Sequence, residues 1–139
     1  MGSAISQLFD VETRAAKECH DLTDRVRELV KRSGVETGLC QVMVLHSTAA
    51  IVVNEFDDPN IGKDVLAALD RAVPDHAGWL HDQIDDNAHA HIKAALLGPS
   101  ELVPVAEGDL LLGTWQRILL VELDGPRRRR VSVTCLRAA

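Results

Sequence analysis

The last forty or so residues of this chain read as one strand after another. Glu101 to Val105, Asp109 to Leu112, Trp115 to Leu123 and Arg129 to Leu136 are short runs rich in Val, Leu and Ile. Such runs can bury their apolar side chains only by pairing into a sheet. Asp124-Gly125-Pro126 is a turn signal between the last two, which are expected to pair as a hairpin. Gly113, in Gly113-Thr114-Trp115-Gln116, interrupts a strand pattern and suggests a bulge.

Helical punctuation appears earlier in the chain. Leu22, Val26, Leu29 and Val30 form an i, i+4, i+7, i+8 stripe, and Gly34 suits a helix C-terminus. This predicts a helix from about Asp21 to Arg32. Asp58-Pro59 opens a second helix, with Ile61, Val65, Ala68, Leu69 and Ala72 on one face and Pro74 as its stop. A third is expected from about Asn87 to Leu97, closed by Gly98-Pro99, with Ala88, Ile92, Ala95 and Leu96 as its apolar arc. Strands are expected at Ala4 to Thr13, Leu39 to His46 and Ile51 to Val53. About three helices unevenly interleaved with about seven strands give an α+β fold, a mixed or antiparallel β-sheet sandwich, rather than a doubly wound parallel sheet. No repeat, linker or low-complexity segment divides the chain, so residues 1 to 139 read as a single domain.

The core must come from Leu, Val, Ile and Ala, since the chain has two Trp, two Phe and no Tyr. That argues against a platform that stacks nucleobases, and the net charge of -6 argues against a broad nucleic-acid-binding face. No run is long and apolar enough to span a bilayer, and Asp10 and Glu12 stand where a signal peptide would be apolar. The three cysteines, Cys19, Cys40 and Cys135, have no Cys-x-x-Cys spacing and read as reduced thiols of a cytoplasmic protein.

Chemistry points to the histidines. Four of the six lie between His76 and His91, and imidazole is both a metal ligand and a general base. A lone histidine is more often a surface or satisfied core residue, so each needs a second reason. His46 ends an apolar run and meets the hydroxyls of Ser47 and Thr48. Asn54 and Glu55 follow Ile51 to Val53, and His81 has Asp82 beside it. His89 and His91 fall on opposite flanks of the third helix's predicted arc, so they are not expected to share one site. The run Arg127 to Arg130 reads, taken alone, as a solvated strand start; its alternative is an anion site, because guanidinium forks match phosphate. Strand alternation would separate Arg127 and Arg129 from Arg128 and Arg130.

Several of these blocks together carry a resemblance. His46-Ser47-Thr48-Ala49-Ala50, Asn54-Glu55, Asp58-Pro59, His81 and Ala90-His91 are followed by Gly113-Thr114-Trp115-Gln116, Glu122 and Asp124-Gly125-Pro126-Arg127. In this order the set resembles the YjbQ-like family, whose members are named secondary thiamine-phosphate synthase enzymes, over about residues 5 to 136. The resemblance implies a compact α+β fold assembled as a homotrimer and a pocket of shared histidines and acidic residues. By position, the shared polar residues are His46, Asn54, Glu55, His81 and His91, then Gln116, Glu122, Asp124 and Arg127. Trp79 stands where relatives often have Tyr, and Ser47-Thr48 varies the usual hydroxyl pair.

The expected function is that of a small-molecule enzyme. It would join hydroxymethylpyrimidine diphosphate to a thiazole phosphate and release pyrophosphate. His46, Glu55, His81 and His91 are the expected catalytic residues, and His46, His81 and His91 the ligands of a divalent metal, Zn or Mg. Asn54, Gln116 and Arg127 are expected to bind the phosphate-bearing substrate. The alternatives are a metal-dependent hydrolase and a non-catalytic trimeric ligand-binding protein.

Overall fold

Residues 4 to 139 are described by a computed structural model. Strand β1 (Ala4–Glu12) leads to β2 (Glu18–Asp21), helix α1 (Thr23–Ser33), β3 (Gly38–Val44) and β4 (Ala49–Asn54). Helix α2 (Pro59–Ala72) and α3 (Ala88–Leu97) follow, joined by a loop with a 3-10 turn at Leu80–Gln83. The chain ends in β5 (Ser100–Ala106), β6 (Asp109–Leu110), β7 (Arg117–Glu122) and β8 (Arg128–Arg137). The architecture is α+β, as the sequence predicts.

The strands form two sheets, one in the order β1-β8-β3-β5-β6 and one in the order β2-β7-β4, and every pairing is antiparallel. Period-2 alternation explains why the sheets face each other. Val131, Val133 and Cys135 of β8 and Cys40, Val42 and Val44 of β3 point inward, to meet Ala49 and Ile51 of β4 and Ile118 and Leu120 of β7. Val26 and Val30 place α1 in the same core, and Gly34 ends that helix in the left-handed conformation at φ 71°. The other face of the smaller sheet, Ala50 and Val121, packs against Ala90 and Ala94 of α3 and Leu66 of α2. At the start of α2, the Asp58 carboxylate accepts a hydrogen bond from the Asn60 amide at 2.9 Å.

The structure corrects the expected hairpin. Strands β7 and β8 lie in different sheets, because β7 already has β2 on one edge and β4 on the other. The Asp124-Gly125-Pro126 turn carries the chain from one sheet to the other. For the same reason β3 and β4, close in sequence, do not pair: β3 sits between β8 and β5. Gly113 marks a turn rather than a bulge, its amide donating to Gln116 Oε1 at 2.7 Å.

The helical faces also differ from the periodicity reading. In α3 the buried side is Ala88, His89, Ala90, Lys93 and Ala94, whereas Ala95 and Leu96 are exposed. Small residues won this face because Ala90 and Ala94 let the helix sit close on the sheet. Lys93 is 0% exposed, with its ammonium on the Asp70 carboxylate. In α2, Ala68 and Ala72 are exposed, and Gly62 is buried. A Cβ at Gly62 would come to 3.0 Å from the Phe56 ring and 3.4 Å from Cys19 Sγ.

Candidate functional site

Where β3 ends, α3 begins and β7 gives way to β8, the chain lines an open, cleft-like cavity of about 630 Å³. Three segments supply its wall: Leu45 to Thr48, Asn87 with His91, and Asp124 with Arg127 to Arg129. Helix α3 sets the second segment, since residues four apart share a helix face.

Set into the wall through Arg129 is a charged pair that composition does not suggest. Glu122 is 0% and Arg129 1% exposed. The Arg129 guanidinium forks onto the carboxylate, with Nε 2.9 Å from Oε1, and Nη2 also donates to Thr48 Oγ1 at 2.9 Å. The carboxylate further accepts from Thr13 Oγ1 at 2.6 Å and from the amides of Leu123 and Asp124 at 2.9 and 3.0 Å. Both carboxylate oxygens and the Nε and Nη2 groups of the guanidinium are therefore used, which is what makes burial of two charges tolerable. The pair joins β8 of one sheet to β7 of the other and fixes the Thr48 end of the His46 turn. Arg129 corrects the reading of the arginine run as a solvated strand start: it shares the inward phase of Val131 and Val133.

His46 is held by its ring. The Arg130 backbone amide donates to His46 Nε2 at 2.9 Å, so in this arrangement Nε2 carries a lone pair and Nδ1 the hydrogen. Burial and the nearby Arg129 charge push the His46 pKa below the ordinary imidazole value. A neutral ring is the form that accepts a proton or ligates a cation.

His81 and His91 meet edge to face, with ring centroids 5.0 Å apart, although ten residues separate them. His81 Nε2 is buried without a hydrogen-bond partner, 3.6 Å from Asp85 Oδ2. Asn87 Nδ2 donates to Asp124 Oδ2 at 2.9 Å, and Arg127 Nη2 reaches the same oxygen at 3.0 Å. Arg127 Nε donates to the Asp124 carbonyl at 2.8 Å, so Asp124 aims a half-exposed guanidinium along the rim.

Asn54, Glu55 and Gln116 are not brought to this cavity. Ala49 pairs with Glu122 beside the cavity, whereas Asn54 pairs with Arg117 at the other end of the β4–β7 ladder. Five residues of strand separate the two ends by roughly 17 Å. There the Asn54 side chain accepts from the Glu55 amide at 2.8 Å. His89 lies apart too, at 7% exposure with its Nδ1 3.3 Å from Asp75 Oδ1.

Sequence reasoning missed Arg129, Thr48 and Asn87 as parts of the site. A signal existed for Arg129 in strand phase and for Asn87 in its i, i+4 relation to His91. Thr48 was marked only as a hydroxyl beside His46, and its bond to Arg129 depends on the sheet crossing.

Comparison with other proteins follows from this geometry. Residues 7–138 match the model of the family described as UPF0047 protein YjbQ-like. The chain belongs to this family. A UPF0047 protein of Archaeoglobus fulgidus is 45% identical over 126 residues, 91% of this chain and 97% of that relative. The Bacillus subtilis UPF0047 protein YugU is 36% identical over 124 residues, 87% of this chain and 91% of its own. Among solved structures, a Sulfolobus solfataricus YbjQ-like protein described as of unknown function superposes with TM-score 0.96 at 42% identity, covering 99% of this chain and 100% of that one. A hypothetical protein of Aeropyrum pernix gives 0.92 at 39% identity, covering 96% and 99%. The UPF0047 fold is thus shared along nearly the whole chain. No helix among the described residues is long and apolar enough to cross a membrane.

Proposed function

We propose that this UPF0047 chain is a cytoplasmic enzyme acting on a phosphate-bearing small molecule. The reaction we assign is of the thiamine-phosphate synthase type: joining of hydroxymethylpyrimidine diphosphate to a thiazole phosphate with release of pyrophosphate. The observation that carries the reading is the single cavity lined by His46, His91 and Arg127, with His81 packed on His91. A guanidinium at the rim suits phosphate oxygens, which it can meet through two N–H groups. Neutral His46, with Nε2 held by the Arg130 amide, presents its Nδ1 hydrogen as a donor to the same cavity. Free thiols at all three cysteines support the compartment.

The residues fit a divalent metal in part. His81 Nε2, buried and without a hydrogen-bond partner, and the adjoining His91 offer two imidazoles, while His46 would join them only by giving up the Arg130 amide, because its Nε2 lone pair is taken and its Nδ1 carries the hydrogen. An all-imidazole set favours Zn over Mg, which prefers oxygen ligands. Such an ion, when bound, supplies positive charge for a departing diphosphate. The chain's own residues bind and aim: Asp124 orients Arg127, Asn87 braces Asp124, and the Glu122–Arg129 pair holds the His46 turn.

Turnover with the two phosphate substrates tests the reading. His91→Ala is expected to lose about tenfold or more in activity, the scale at which site-supporting residues act. His89→Ala should keep its activity, though its burial means some loss of stability. Arg127→Lys should weaken pyrophosphate binding because Lys keeps the charge and loses the fork, while Arg130→Ala changes it little. Equal activity losses in the two histidine variants, or unchanged anion affinity in Arg127→Lys, would remove the assignment.

We also propose a homotrimer. Support comes from the outer face of the larger sheet, where Leu8, Leu39, Leu102 and Leu136 are exposed, Leu39 and Leu136 directly opposite each other. Light scattering should give three chain masses per particle; a monomer at micromolar concentration would end this proposal.

A further inference from the structure

We infer that the loop between α2 and α3 binds a divalent transition-metal ion, of which Zn²⁺ is the type, between His76, Asp82 and Asp86, at a site separate from the cavity. One ligand atom from each residue lies within 4.8 Å of the other two. His76 Nδ1 is 2.8 Å from Asp86 Oδ1 and 3.9 Å from Asp82 Oδ2. Ligands on a tetrahedral ion with bonds of about 2.1 Å stand roughly 3.4 Å apart. The two distances straddle that spacing, so small side-chain rotations suffice.

The same loop holds an unmet polar atom. Asp82 has one oxygen occupied, since Oδ1 accepts from the Ala88 amide at the start of α3 at 2.9 Å. Its Oδ2 is shut from water and has no hydrogen-bond partner. A carboxylate oxygen in that position is costly unless a cation or donor meets it. His76 Nδ1 carries at most one hydrogen for two carboxylates, so it cannot serve both. His89 adds to the imbalance. Its ring centroid is 6.5 Å from that of His76, and its buried Nδ1 makes no hydrogen bond, facing Asp75 Oδ1 at 3.3 Å.

The donor set selects the ion. One imidazole with two carboxylates suits zinc and its first-row neighbours, whereas calcium and magnesium favour oxygen alone. His76 and Asp86 are largely exposed, which leaves a coordination position for water and a route of entry. The ion would also have a structural consequence. The loop it closes carries His81 and ends at Asn87, so clamping residues 76 and 86 restricts Asn87, which lines the cavity, and His81, which packs on His91.

The test is Zn²⁺ uptake by the full chain, measured by equilibrium dialysis. Because the cavity imidazoles can also take zinc, the His46→Ala/His91→Ala double variant serves as background. It is expected to retain about one equivalent, and adding His76→Ala or Asp86→Asn should weaken uptake more than about tenfold, as loss of one ligand requires. Amide exchange in residues 76 to 87 should slow on Zn²⁺ addition in the wild type and not in His76→Ala. That comparison stands even if the double variant does not fold. Uptake unaffected by His76→Ala and Asp86→Asn would overturn the site. So would complete loss of zinc in the double variant alone, which would leave the cavity as the only site and the proposed function intact.

Discussion

Arg129→Ala is expected to destabilise the protein by about 3–5 kcal/mol, because it strands the Glu122 carboxylate in the core without its counter-ion. Both groups are buried, and the guanidinium forks onto the carboxylate. Arg130→Ala, one residue along, removes only a solvent-facing contact to Asp10 at 3.3 Å and should be nearly silent. Urea unfolding of the two variants separates these outcomes, and a small loss in Arg129→Ala would mean the pair adds little. The pH dependence gives a second check. Burial alone would raise the Glu122 pKa, but hydrogen bonds from Arg129, Thr13 and the Asp124 amide outweigh it and hold the pKa below 4.5, its ordinary value. A folded value below the unfolded one means stabilisation that is full above about pH 4.5 and is lost as pH falls through the depressed value. Without Arg129 the burial effect remains and the carboxyl protonates at higher pH. The gap in stability between wild type and Arg129→Ala should therefore shrink as pH falls below 4.5.

Gly125→Ala is expected to cost about 1–3 kcal/mol or more through overpacking. A Cβ at Gly125 would lie 2.2 Å from the Ala15 carbonyl oxygen and 2.8 Å from Glu122 Cγ. The first contact is with backbone, which cannot swing aside as a flexible side chain does. The Gly125 amide also donates to the Ala16 carbonyl at 2.9 Å, so the turn is clasped against the β1–β2 connection. Moving it displaces Asp124 and Arg127, and anion affinity should fall along with the melting temperature, the latter by about 4 °C or more. Gly113→Ala is the control: its Cβ would meet Gln116 Oε1 at 3.2 Å, the end of a side chain that can move. Equal melting temperatures for the two variants would contradict the close approach at Gly125.

Much of the fold was legible because the rules that set it are local. Asp58-Pro59 and Gly34 fixed helix ends through capping and φ, and alternation in Val131-Ser132-Val133 fixed which side of β8 faces the core. The same alternation contained the buried position of Arg129, although the charge of its neighbours pointed to solvent. Pairing was not legible. Whether β7 meets β8 depends on which strand edges are already occupied, and that is settled by β2 and β4, distant in sequence. The face of α3 was not legible either. Burial of Lys93 depends on Asp70 of another helix, and small Ala90 and Ala94 outcompeted larger Ile92 and Leu96 by fitting against the sheet.

For the site, it was the resemblance to the YjbQ-like family, carried by the order of the motifs, that marked His46, His81, His91, Asp124 and Arg127. The tertiary structure decided which of the marked residues meet. It placed His91 with His81 and the cavity, and put Asn54, Glu55 and Gln116 at the far end of the β4–β7 ladder. The physical reason is that a strand carries its two ends apart at a fixed rise per residue, while a sheet crossing brings distant segments together. Spacing in the chain records the first effect and is blind to the second.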